Sequence, residues 1–219
     1  MAFFSKEKEI KKEIKKPQPQ QQKKAAPVSV TTETTISKNI TIEGNISGTD
    51  AITVEGTLIG DITVNNVVIG RNGSVKGSIT AQKVKVSGKV EGTITCNDLD
   101  IMHNGYITNK IHANKIVISG EIVGDVLAES SINVTPTGKI KTDSLVSKHV
   151  TVNGTIEGKV SASELLSVGS NVFVNGEISV KNIKTDEGGR VIGSMAMYQA
   201  PTIPKKKEPE MLDAVIEEK

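Results

Sequence analysis

One short element, repeated, constrains this chain more than anything else in it. Two glycines stand four residues apart, and each is followed two residues later by an aliphatic side chain. The element fills residues 56–62, 73–79, 88–94, 120–126 and 154–160. Looser copies span 105–111, with Asn109 in the second glycine position, 138–144, with Thr142 there, 172–178 and 189–195. Around it the chain alternates. In the run QKVKVSGKVEGTITC, residues 82–96, every second position from Val84 on is apolar or Gly, and those between are polar. Strict alternation means extended chain with one face buried, and the glycines break it into short straight sides.

Successive first-glycine positions lie 17, 15, 17, 15, 18, 16, 18 and 17 residues apart, so long and short units alternate over most of the run. Short units carry one residue before the first glycine (Glu55, Ser87, Ser119, Asn153). Long ones carry three, as in Gly70-Arg71-Asn72 and Met102-His103-Asn104. A unit of this size cannot bury its own apolar face, whereas stacked copies bury a continuous one. The pattern therefore predicts an all-β fold, a single-stranded parallel β-helix. The handedness rule for parallel crossovers favours a right-handed solenoid, and no strict six-residue repeat of the left-handed kind occurs. At the opposite corner, the polar pairs Asn65-Asn66, Gln82-Lys83, Asn97-Asp98, Asn114-Lys115 and Lys181-Asn182 predict turns with positive φ.

Composition fits a narrow core. Aromatic residues are 2% of the 219 and Trp is absent, whereas a globular core of this size leans on several large rings. Net charge is +2, which gives no electrostatic reason to expect a nucleic-acid partner. Cys96 is the single cysteine, so no disulfide framework is expected. Its slot holds Val64, Ala81, Ala113, Ala128, Ala162 and Val180 in other units, which predicts a small inward side chain.

Three segments follow. Residues 1–35 read as a disordered basic tail: Phe3-Phe4, then eight Lys and three Glu by residue 24, then a Pro/Gln linker. No secretory h-region and no membrane-spanning stretch is present in the sequence. Two readings of this tail stand side by side. It is a solvated charged segment, or it is a membrane-targeting peptide in which Phe3 and Phe4 enter the interface while Lys6 and Lys8 meet anionic headgroups. One copy binds marginally, and many copies on a polymer bind through avidity. Residues 36–197 are the β-helix, with 36–48 as a truncated first coil or a cap. Residues 198–219 are a second disordered tail.

The rod offers no catalytic constellation to the eye. Zinc chemistry on a β-helix needs histidines from adjacent coils at one corner. His103 and His112 fall in one coil, at what read as different corners, and His149 lies two coils on. Acidic pairs for glycoside or lyase chemistry should cluster, but Asp61, Asp125, Asp143 and Glu177 share a column with Ser78, Thr93, Lys110 and Lys159. No GxxxxGK[ST] phosphate loop occurs. The sequence assigns no catalytic, cofactor or metal residue. An enzyme-like, transferase-like or ligand-binding β-helix is the alternative reading, and a surface adhesin a third.

A rod of stacked coils ends in unpaired backbone groups over an apolar core, which monomeric solenoids cover with caps. Here the C-terminal rungs finish in Val191, Met195 and Met197, and the N-terminal rung offers Ile40 and Ile42. Stacking end on end would bury both. Phe173 stands in an outward column with Thr155 and Arg190, either as a polymer contact or as an isolated surface aromatic.

The run VVIGRNGSVKGSITAQKVKVSGKVEGTI, residues 67–94, resembles the core of the bactofilins, bacterial polymer-forming cytoskeletal proteins. The layout of basic tail, β-helix and polar tail is similar too. The resemblance implies a right-handed β-helix that polymerises through its ends into non-polar filaments without nucleotide. It also implies attachment to the inner face of the cytoplasmic membrane by a short aromatic and Lys segment, here residues 1–8. Expected partners are the chain itself, an anionic membrane surface and peptidoglycan-modifying enzymes; the implied role is a scaffold for cell shape.

Overall fold

The computed structural model describes residues 33–170 and 172–198. They form nineteen strands and no helix, and every strand pair is parallel. Each strand pairs with the one a single coil further on, so the chain climbs as a β-solenoid of about ten turns. Three faces recur. The first carries Ala51–Val54, Asn66–Ile69 and their successors, the second Thr57–Ile59 and Ser74–Lys76, and the third Ile62–Thr63 followed by the start of Ile79–Val86. Further on the strands run across corners, as in Lys139–Val152 and Thr155–Val168.

Register turns the sequence repeat into columns. Leu58, Val75, Val90, Ile107, Ile122, Ile140, Ile156 and Val174 stack on the second face, each at most 1% exposed. Like aliphatic groups stacked at the roughly 4.8 Å strand spacing exclude water without a single large ring. The third face alternates wide and narrow: Ile94 and Ile111 beside Cys96 and Ala113. Cys96 is the small inward residue expected, 8% exposed, and burial pushes its thiol up to about 12, with the charge of Asp98 adding.

The positive backbone angles are not where the Asn-rich corners suggested. Most fall on the second glycine of the element, at Gly44, Gly60, Gly77, Gly92, Gly124, Gly158, Gly176 and Gly193, and on Asn109 in the same position, while Asn39 and Gly188 lie in the turns just before the first-glycine position. The reason is the sharp bend between the second and third faces, which turns within one residue, whereas the Asn corners spread their turn over a longer polar stretch. Thr142 stands in that position without positive φ. The chain inserts a residue instead: the register shifts between Thr142 and Leu145, and the Ser144 amide donates to Thr142 Oγ1 at 3.1 Å.

Long coils close their extra residues with tight turns, seen in amide-to-carbonyl bonds from Gly73 to Gly70 (2.9 Å), Gly105 to Met102 (2.8 Å) and Gly138 to Thr135 (2.9 Å). Ile40 closes on Ser37 in the same way at 3.3 Å, with Asn39 at φ 63°. The first coil is therefore not truncated. It is a full long coil whose first side is Glu33–Ile36, paired with Ala51–Val54, three residues ahead of the boundary drawn from the sequence.

Candidate assembly surfaces

The ends differ from the body in one respect, the missing neighbour. At the C-terminal end Arg190–Met197 pairs with Phe173–Val180, and among the described residues nothing pairs with its other edge. Met195 continues the column of Ile178, and Met197 that of Val180. Exposure jumps from 1% and 5% to 53% and 81% across that step. Val191 stays half-buried against Val174. Ile183 continues the column of Leu166 and is 39% exposed for the same reason. Continuing the inward spacing from Leu166 would have found it.

At the N-terminal end Ile42 is half-buried and packed on the core, in register with Leu58. Ile40 is not part of a rung. It occupies the outer corner over Gly56, 47% exposed, and its carbonyl accepts from the Thr57 amide at 2.9 Å. The apolar rung is built by Ile36, Ile42 and Ile46, of which the sequence pattern singles out Ile42 alone. Phe173 lies in the expected outward column but is half-buried, one coil inside the last and in register with Thr155 and Arg190. It belongs to the side of the rod, not its end. Phe3, Phe4, Lys6 and Lys8 lie outside the described residues.

The sides carry charge unevenly. Outward positions of the second face hold ion pairs, two between neighbouring coils, Lys76–Glu91 at 3.3 Å and Lys141–Glu157 at 3.3 Å, and one within a single strand, Lys89–Glu91 at 2.6 Å. Hydrogen bonds from Lys89 and Lys76 hold the Glu91 carboxyl below its usual range, and Glu91 raises Lys89. At the next corner, Asn45 Oδ1 accepts the Asp61 amide at 3.1 Å and Asp61 Oδ1 the Ser78 amide at 2.9 Å. The acidic column there caps backbone as well as facing solvent. Lys159–Glu177 closes it at 3.2 Å.

His112 is not at a corner. It points outward from the third face, in register with Thr95 and Leu127, and its Nε2 lies 3.6 Å from Glu129. His149 lies 3.1 Å from Glu164 in a separate pair. Among the described residues no group of three or more His, Cys, Asp or Glu is placed to hold a metal ion.

Among the described residues, a stack of parallel coils with exposed apolar side chains at its last rung and no helix defines a β-solenoid. The family model of the bactofilins, described as polymer-forming cytoskeletal, matches residues 34–119 and again 113–196. This chain belongs to the bactofilin family, and it is a polymer-forming cytoskeletal protein. No curated protein and no solved structure matches it.

Proposed function

We propose that this chain is a non-enzymatic scaffold that assembles end to end, without nucleotide, into filaments at the inner face of the cytoplasmic membrane. There it would organise cell-wall enzymes and so cell shape. The observation that carries the end-to-end part is the C-terminal rung. Met195 and Met197 prolong buried columns yet are 53% and 81% exposed. Covering two such side chains stabilises by about 1.5–3 kcal/mol each when burial is complete, and a neighbouring chain supplies that cover together with partners for the strand edge. Membrane attachment rests on Phe3, Phe4, Lys6 and Lys8, with filament avidity multiplying a weak single contact.

Negative-stain electron microscopy of the purified chain, without nucleotide or metal, tests the reading. Filaments a few nanometres wide are expected. Monodisperse short rods at high protein concentration would sink it.

A further inference from the structure

We infer that a groove on the first face, over the rungs from Asn66 to Val117, seats this chain's own residues 211–219, which fold onto it as a short amphipathic helix lying along the rod. The inference stands apart from the end-to-end reading above.

Two outward columns form the walls. One is Asn66, Lys83, Asp98 and Lys115 at the corner; the other is Val68, Lys85, Asp100 and Val117 on the face. Between them lies a groove of about 460 Å³. Val68 is half-buried and Val117 is 39% exposed, and the lysine stems add methylene surface to the walls. Past these rungs the face column reads Asn133, Thr151 and Ser167, with no aliphatic group, so the apolar stretch has a definite length. From Asn66 to Lys115 it covers three strand spacings, about 14 Å.

Residues 211–219, MLDAVIEEK, match it in length and pattern. Nine residues of helix rise about 14 Å. Met211, Leu212, Val215 and Ile216 then fall in one arc, with Asp213 and Glu218 on its two borders. A helix this short is marginal by itself and gains its stability from a surface that covers its apolar side.

Charge selects this segment. The walls carry Lys83, Lys85 and Lys115 against Asp98 and Asp100, whereas residues 210–219 carry four carboxylates against one lysine. The segment ahead of the solenoid, with eight Lys and three Glu by residue 24, has the wrong sign.

Reach is sufficient. The Tyr198 amide donates to the Val180 carbonyl at 3.1 Å, so the chain leaves the solenoid beside Lys181-Asn182. That corner continues the Lys115 wall through Ser131, His149 and Leu165 to Asn182. Tyr198, one coil further, is thus about five spacings from Lys115, or about 24 Å. Residues 199–210, with Pro201, Pro204 and Pro209, span up to about 37 Å at about 3.1 Å per residue. Such a tether keeps the segment near its own groove at about millimolar effective concentration.

The test is disulfide formation in the full chain under oxidised glutathione, read on non-reducing gels. An internal link gives a faster-running monomer, and a link between copies gives a dimer. Native Cys96 is buried and takes no part. Met211→Cys with Val117→Cys should close internally about tenfold faster than Met211→Cys with Thr151→Cys, although Thr151 lies two rungs nearer the tether. Val215→Cys with Asp100→Cys, which leaves Met211 and Val117 in place, should match the faster pair. Adding Lys83→Glu and Lys115→Glu should slow both groove pairs about tenfold, with circular dichroism checking that each variant keeps its β signature. Equal internal rates for the groove pairs and the Thr151 pair would mean a tether that only wanders. Dimers in place of internal links would mean a neighbour's groove. Either result overturns the assignment, as would rates indifferent to the lysine reversals.

Discussion

The carbonyl oxygen of Gly60 occupies the space that a Cβ on Gly77 would need. The same relation links Gly77 to Gly92 and Gly158 to Gly176, so the second corner of each coil is built backbone upon backbone. Gly77 is at φ 142°, where an L side chain is strained even in open space. Two causes thus fix one residue type.

Gly77→Ala should lower stability by about 2–3 kcal/mol, combining a disfavoured conformation with a forced shift of the neighbouring strand. Urea unfolding followed by circular dichroism would read it as a lower midpoint. Asn109→Gly, in the equivalent position at φ 89°, should stay within about 1 kcal/mol of wild type. Equal losses at the two sites would show that the corner does not discriminate.

Val191→Lys or Met195→Lys should prevent end-to-end stacking, because an ammonium buried between rungs loses its water with no partner supplied. The inner coils should keep their β signature in circular dichroism. Filaments persisting in both variants would place the contact elsewhere on the molecule.

Much of this arrangement is legible in the sequence. The outward column running from Thr57 through Lys89 and Tyr106 to Arg190, and the inward place of Cys96, follow from spacing alone. What spacing hides is which corner bends hardest. Asn65-Asn66 looks like a left-handed turn and is not one, because the space available at a corner is set by the coil beneath it, a contact about 16 residues away in sequence. Ile40 misleads for a related reason. It stands where Gly56 stands in the next coil, so its apolar side chain points out of the corner while Ile36 takes the core. His112 and Glu129 lie too far apart in the chain for a local pattern to pair them.

Cys96 should resist labelling. With its thiol pushed up to about 12 and 8% of the residue exposed, the thiolate is scarce in the folded chain. Reaction with a maleimide at pH 8 should be about a thousandfold slower than in urea, following the thiolate fraction. Because the folded value is raised, the unfolded chain ionises first as pH climbs. The contribution of the neutral thiol is complete below the ordinary thiol range and declines above it. Rapid labelling of native protein would contradict a closed third face.

Phe3→Ser with Phe4→Ser should release filaments from anionic liposomes without dissolving them. In the proposed anchor the two rings would supply the apolar part of a contact to which each Lys would add about 1 kcal/mol. Co-sedimentation with vesicles and electron microscopy of the supernatant would check this together. Unchanged vesicle binding would refute the anchor.

The chain enters its solenoid on the first face, at Glu33–Ile36, and leaves it on the third, at Met197. The described residues thus make up whole turns, with no face among them left a strand short. Joined in series, such molecules would work as a graduated ruler, each advancing the structure by about ten strand spacings, or close to 50 Å. Any enzyme held by one residue of this protein would find an equivalent berth again after every two molecules where neighbours alternate in direction, an interval measured out by the covalent length of the polypeptide.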